Sequence, residues 1–287
     1  MSKDKTTDQI DAFRGASYEM AEAIASTWER RRAQIEEVST PVREWMLREL
    51  RPQAGDTVLE LAAGTGDSGF EAATIVGEHG RLICSDFAPS MLEAARRRGE
   101  QLGIHNVDYR SMDAEHIELE TDSVDGVLCR FGYMLMADPA MALDETRRVL
   151  RPSGRLTLAV WGAPERNPFF ATIAISLIER GHIPPPEPPP APGMLSLADV
   201  DRTTALLEGA GFGEVRTEEV PVCFPLPDVD EYLNVIADTA GPLGLALRGL
   251  PEAERGAVKA EVEDAFGRFA TEHGYEVPGI ALCAVAS

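Results

Sequence analysis

The chain has 287 residues, 44% of them hydrophobic, which is enough for one large domain or two modest ones with a proper core. Its 27 basic residues are outweighed by 48 acidic ones, and a formal net charge of −21 argues against nucleic acid or an anionic membrane surface as partner. No apolar run approaches the roughly 20 residues of a membrane span, and the start, MSKDKTTDQIDAF, lacks a signal-peptide core and carries too much acid for a transit peptide, so a cytoplasmic protein is expected.

Residues 8–37 place Ile10, Phe13, Met20, Ile24, Trp28 and Ile35 at near-helical spacing and read as one or two helices. A fresh helix is expected at Thr40 as N-cap, with Pro41 at its first position and Val42, Trp45, Met46 and Leu50 on its apolar face. The sequence RPQAG stops it. Strands and helices then alternate: strand 57–62, helix 67–78 capped by Asp67, strand 81–86, helix 88–103, strand 107–112, strand 124–131, a helix from Asp138 to Leu150, and strand 154–161. Alternation at this spacing predicts a parallel, doubly wound sheet.

After Trp161 the rhythm breaks. Residues 163–183 look helical, and PPPEPPPAP (184–192) reads as stiff polyproline II, either a rigid connector or a lip over a pocket. Helix 197–209, strand 214–222 and a last strand, 279–286, resume the core, with mostly helical sequence between those two strands. The organisation expected is an N-terminal helical cap (1–52), a core (53–161), a lid insertion (162–200), a core continuation (201–222), a second helical lid (223–278) and a last core strand (279–287). The cysteines Cys84, Cys129, Cys223 and Cys283 are scattered, without C-x-x-C or a histidine pair nearby, and no metal is expected.

The stretch LELAAGTGDSG (59–69) fits two cofactors. Gly64, Gly66 and Gly69 spell the G-x-G-x-x-G of a dinucleotide fold, and Asp86 follows the second strand where either NAD or S-adenosylmethionine (SAM) would present a ribose diol. Four features favour SAM. Asp67 stands in the turn where it would repel a pyrophosphate. Glu60 brings a carboxylate to the strand end, able to engage the turn or an ammonium group. Asp113, in SMDAEHI, lies where an adenine amino group would be bonded, and RRVLRPSGRLTLAVW (147–161) is a helix, a Pro/Gly turn and a strand.

These segments, with SDFAPSMLEAARRR and VDGVLCRFGYMLMADP, occur in order and properly spaced, and residues 57–161 resemble class I SAM-dependent methyltransferases. The branch is the one similar to ubiquinone/menaquinone C-methyltransferases. The resemblance implies a Rossmann-like, seven-stranded, mostly parallel sheet with an antiparallel last strand, here filled by 214–222 and 279–286, plus helical lids. It implies that Gly64 and Gly66 let the backbone approach the methionine part of SAM and that Asp86 binds the ribose. Phe87 and Met91 would flank the adenine, and Met112, Asp113 and Ala114 would form its other wall, with core packing or helix capping as the plainer roles. The family's first turn glycine is replaced by Ala62, which suits the turn if its φ is negative. Arg130 would face the cofactor carboxylate or make a structural ion pair.

The implied reaction is in-line methyl transfer to a small, largely apolar acceptor, leaving S-adenosylhomocysteine (SAH), with O-, C- and N-methylation all open and alignment supplying much of the rate. Tyr133 would touch the acceptor or the sulfonium, or pack in the core. Tyr18 and Trp28 would close the site from the N-terminal helix, or pack there. His182 is the candidate base for a hydroxyl acceptor, against a plain loop histidine. A non-catalytic SAM- or SAH-binding protein and an NAD-dependent oxidoreductase are the competing readings.

Overall fold

A computed structural model describes residues 7–186 and 192–287. Five parallel strands are laid down first: β1 (Thr57–Glu60), β2 (Arg81–Asp86), β3 (Val107–Ser111), β4 (Val124–Arg130) and β5 (Leu150–Trp161). They are followed by β6 (Val215–Leu226), the two-residue β7 (Ala270–Thr271) and β8 (Gly274–Ala286). The sheet order is β3-β2-β1-β4-β5-β8-β6, with β7 added beside β8. β8 runs antiparallel to both β5 and β6, so it is the inserted antiparallel strand expected from the sequence. Apolar runs such as Val58-Leu59 and Val127-Leu128-Cys129 are completely buried because helices cover both faces of a parallel sheet.

Those helices are α2 (Asp67–Val76), α3 (Pro89–Leu102) and α4 (Pro139–Val149), then α5 (Pro168–Glu179) and α6 (Val200–Gly209). α7 (Val229–Thr239), α8 (Pro242–Arg248) and α9 (Glu252–Phe266) form the helical part expected between the last two long strands. The strands themselves intrude further than expected. β6 and β8 pair from Val215↔Ala286 to Leu226↔Tyr275, since alternation continues past Val222 with Phe224 and Leu226 buried on the same face. The Pro-rich stretch falls on 187–191, outside the described residues.

The N-terminus departs most from expectation. One helix, α1 (Thr7–Leu50), runs 44 residues with Pro41 inside it. Thr40 does not cap a new helix. Its hydroxyl donates to the Glu36 carbonyl at 2.7 Å, and Ser39 does the same to Ile35. Val42, Trp45, Met46 and Leu50, all at most 4% exposed, hold the second half against the sheet, so packing carries the helix through the proline.

Candidate functional site

The glycine turn begins where β1 stops. Leu61 N–H donates to Leu128 and Ala63 N–H to Ser85, both at 2.9 Å, which holds the chain between the ends of β4 and β2. Three residues then take left-handed backbone: Ala62 (φ 50°), Gly64 (φ 55°) and Gly66 (φ 80°). Ala62 therefore occupies a glycine-type conformation, contrary to the expected negative φ, and stores strain in the turn. A β-carbon on Gly64 would meet nothing within 4 Å, whereas one on Gly66 would lie 2.6 Å from the Phe70 ring. Gly69 has a different reason to be glycine: a β-carbon there would sit 2.2 Å from a Glu60 carboxylate oxygen.

Glu60 accepts the Gly69 N–H at 3.0 Å through one oxygen, and its other oxygen is buried without a partner. It braces the first turn of α2. Burial pushes its carboxyl up to about 8, partly opposed by the Arg130 charge and the Gly69 N–H. Asp86 lies across the turn at the end of β2, 6% exposed. It accepts Gly64 N–H at 2.9 Å and Ala88 N–H at 3.0 Å, while burial raises its carboxyl to about 6 against those bonds. Asp67 is the first residue of α2 and not its cap, which is Gly66. Arg32 at 2.9 Å and Arg98 at 3.6 Å cover its charge, so its expected repulsion of a phosphate is largely neutralised.

Beyond β2, Met91 and Met112 are each 6% exposed and Ala114 packs against the main core. Phe87, Ala88 and Met91 share a separate apolar cluster with Ala21, Ile24, Ala25 and Trp28 of α1. The Tyr18 ring meets Phe87 edge-to-face at 5.9 Å, yet Tyr18 stays 41% exposed. The structure thus brings Tyr18 and Trp28 to Phe87 and Met91. Asp113 accepts the Glu115 N–H at 2.9 Å and lies 3.3 Å from Arg14 of α1. Arg130 takes the ion-pair alternative: it reaches Glu36 of α1 at 2.5 Å and also donates to Ser39.

Two expected residues lie elsewhere. Tyr133 is fully buried, its hydroxyl 2.6 Å from Thr146 of α4, so it packs the core and burial drives its phenol well above the ordinary range. His182 pairs with Glu254 of α9 at 3.1 Å, next to Arg180, and lines a cavity of about 480 Å³ with Met20 and α8 residues. That cavity wall includes none of the glycine-turn residues.

Other contributors were not singled out in the sequence. Phe131, at the end of β4 with φ 60°, stacks on Trp161 at 4.2 Å, and Trp161 in turn meets Phe170 at 4.9 Å and Phe224 at 5.8 Å. The aromatic composition of VLCRF and LAVW is a visible signal, but the meeting of four segments is not. Arg14, Glu22 and Glu36 of α1 look like solvated helix charges in sequence, and only the fold aims them at the core.

Comparison with known proteins gives a family and a fold. Residues 39–172 match the ubiE/COQ5 methyltransferase family. The chain is 34% identical over 135 residues to the demethylmenaquinone methyltransferase of Clavibacter sepedonicus, covering 47% of this chain and 49% of that protein. It is 37% identical over 116 residues to the ubiquinone/menaquinone biosynthesis C-methyltransferase UbiE of Haemophilus ducreyi, covering 40% and 45%. The chain spans about half the length of these curated relatives. Its structure resembles that of phosphoethanolamine N-methyltransferase 2 of Haemonchus contortus, solved with SAM, at a TM-score of 0.53 and 15% identity, covering 85% of this chain and 51% of that one. The chain shares the Rossmann-like fold of the methyltransferase structure it resembles, and its residues 39–172 match the ubiE/COQ5 methyltransferase family.

Proposed function

We propose that this chain is a SAM-dependent methyltransferase acting on a small, largely apolar organic acceptor. The quinone type is favoured by the relatives named for demethylmenaquinone and for ubiquinone/menaquinone. The observation that carries the reading is the left-handed turn 62–66 facing the Asp86 carboxylate, inside the segment that matches the family. The residues suit the cofactor: open space at Gly64, a carboxylate where a ribose diol needs an acceptor, and apolar side chains on either side of the end of β2.

Bound SAM supplies a methyl group already activated on a sulfonium, so the protein's part is orientation and exclusion of water. Asp86 would exchange its bond to Gly64 for the ribose hydroxyls. Phe87 and Met91 would hold the adenine against Met112, with Asp113 at its edge. Gly64 and Gly66 would admit the methionine portion, while Glu60 keeps the start of α2 in place. Arg130 would order the neighbouring end of β4 through Glu36. The aromatic group of Phe131, Trp161, Phe170 and Phe224 offers flat apolar surface beside that strand end for an acceptor ring. His182, the candidate base for a hydroxyl acceptor, lines a separate cavity and would act only on an acceptor that reaches it.

Calorimetric titration with SAH and, separately, with NADH tests the reading. Binding of SAH alone supports it and justifies assaying transfer from labelled SAM to quinone-type and other apolar acceptors. Binding of NADH alone overturns it.

A further inference from the structure

Phe87, Ala88 and Met91, in the ridge proposed to hold the nucleoside, lie beneath the first part of α1. Ala25 packs on Ala88 and Met91, Tyr18 on Phe87, and Glu22 accepts the Ser90 N–H at 3.0 Å. Ala88 is fully buried and Met91 is 6% exposed in this cluster. While α1 lies on the ridge, Phe87 is only partly exposed and Ala88 and Met91 are covered.

The attachment of that part of α1 is of a particular kind. From Val42 onward the helix is fixed by large apolar side chains in the main core, whereas among the described residues before Val38 only Ala25 is a buried apolar residue. Ala21, Ile24 and Trp28 add partly buried apolar contact with the ridge, and a series of charge pairs runs along the same segment. Arg14 meets Asp113 at 3.3 Å and Glu115 at 2.5 Å, Glu29 meets Arg97 at 2.7 Å, Arg32 meets Asp67 at 2.9 Å, and Glu36 meets Arg130 at 2.5 Å. On its other side Arg31 pairs with Glu231 and Asp238 of α7. The Glu29–Arg97 pair is exposed, weak and screened by salt, whereas the pairs of Arg14, Arg32 and Glu36 each have a largely buried partner and are screened less.

Between the two halves the helix has a built weak point. Pro41 has no N–H for the Glu37 carbonyl, and the two preceding hydroxyls, of Ser39 and Thr40, bond back to the carbonyls of Ile35 and Glu36. Proline and hydroxyl back-bonding are the recognised causes of helix bending. The family match also begins at Ser39.

We propose that residues 7–38 of α1 form an arm that pivots at Ser39–Pro41, lifts to admit the cofactor to the Asp86–Phe87–Met91 ridge, and is drawn closed over it by the ion pairs. The role of the ridge rests on the SAM reading; the pivot and its charge dependence do not. When the arm lifts, Ala88 becomes accessible, whereas Cys84, Cys129 and Cys283 remain buried in the sheet.

The test is the rate at which a thiol reagent labels an Ala88→Cys variant of the full chain, with the exposed Cys223 replaced by serine. Labelling is expected to quicken about threefold or more between about 0.05 and 0.5 M salt. Adding Arg14→Gln and Glu29→Gln should quicken it similarly at low salt, and excess SAH should slow it about tenfold or more. The three buried native cysteines should stay unlabelled throughout, which separates arm lifting from unfolding. Ala25→Cys reads the same motion from the arm's side if Ala88→Cys does not fold. The proposal is overturned if the introduced thiol reacts no faster than the buried cysteines, or if its rate ignores salt and the charge substitutions. Salt-dependent labelling that SAH leaves unchanged keeps the hinge and overturns the cofactor gate, and separate SAH titration shows whether the SAM reading has failed with it.

Discussion

The Asp86 carboxylate accepts the N–H of Gly64 at 2.9 Å, tying the end of β2 to the turn that follows β1. The same carboxylate accepts Ala88 N–H, so one side chain sets both the glycine turn and the start of α3. Asp86→Ala leaves two backbone donors without partners, at a cost of about 1–3 kcal/mol each where they remain buried. It also removes the proposed ribose acceptor, and SAH affinity should fall about tenfold or more, the loss expected of a hydrogen bond to a charged group. Calorimetry at a temperature where the variant is still folded checks this, and affinity within twofold of the parent would show that the ribose sits elsewhere.

Glu60 and Asp86 make stability depend on pH. Burial raises Asp86 to about 6 and Glu60 to about 8, above the ordinary carboxyl range, so the fold favours their protonated forms. The stability they contribute is whole below the unfolded values near pH 4 and is lost as pH rises, first through about 6 and then through about 8. Urea midpoints should therefore decline from about pH 5 to 8.5, at about 1.4 kcal/mol for each pKa unit of displacement. Glu60→Gln keeps a carbonyl for Gly69 N–H and should remove the upper part of the decline. An unchanged profile in that variant would mean that Glu60 ionises at an ordinary pH.

Ala62 sits at φ 50° with its β-carbon 2.7 Å from where one on Gly132 would stand. Ala62→Gly should relieve the strain and raise stability by about 1 kcal/mol. Gly132→Ala should do the opposite, since its β-carbon would also lie 2.5 Å from the Cys129 sulfur. Thermal midpoints of the two variants check the pair. A lower midpoint for Ala62→Gly would show that the turn is held without strain.

Trp161 of β5 meets Phe131 after β4, Phe170 of α5 and Phe224 of β6. Trp161→Ala should cost about 3–5 kcal/mol, the range for a large aromatic in a core. Trp161→Phe should retain most of the stability but change acceptor KM more than cofactor affinity, if this surface holds the acceptor ring. Steady-state kinetics with a quinone-type acceptor would show the split.

His182 pairs with Glu254 of α9, in a cavity wall that includes none of the glycine-turn residues. His182→Ala should leave SAH affinity within about twofold, because no proposed cofactor contact is lost. If His182 serves as the base, turnover should fall about 10²–10⁴-fold with a changed pH profile. Unaltered turnover and profile would remove it from that role.

The sequence by itself determined the parallel half of the fold. Strand and helix periods alternate from Thr57 to Trp161, and glycines and an acid stand where β1 and β2 end. Such features are local: a period, a turn residue or a cap is written within a few positions, and the sheet follows from them. Other outcomes depended on contacts between distant segments. Thr40-Pro41 read as a helix start, yet the burial of Trp45 and Met46 made one helix of two. Arg130 had two readings, and only the arrival of Glu36 and Ser39 chose between them. Tyr133 was taken into the core beside Thr146, and His182 to α9 by Glu254. A charge or a ring has no partner written beside it in the chain, and pairs 91 or 94 positions apart, such as Arg130 with Ser39 and Glu36, are decided by which surfaces must be buried together.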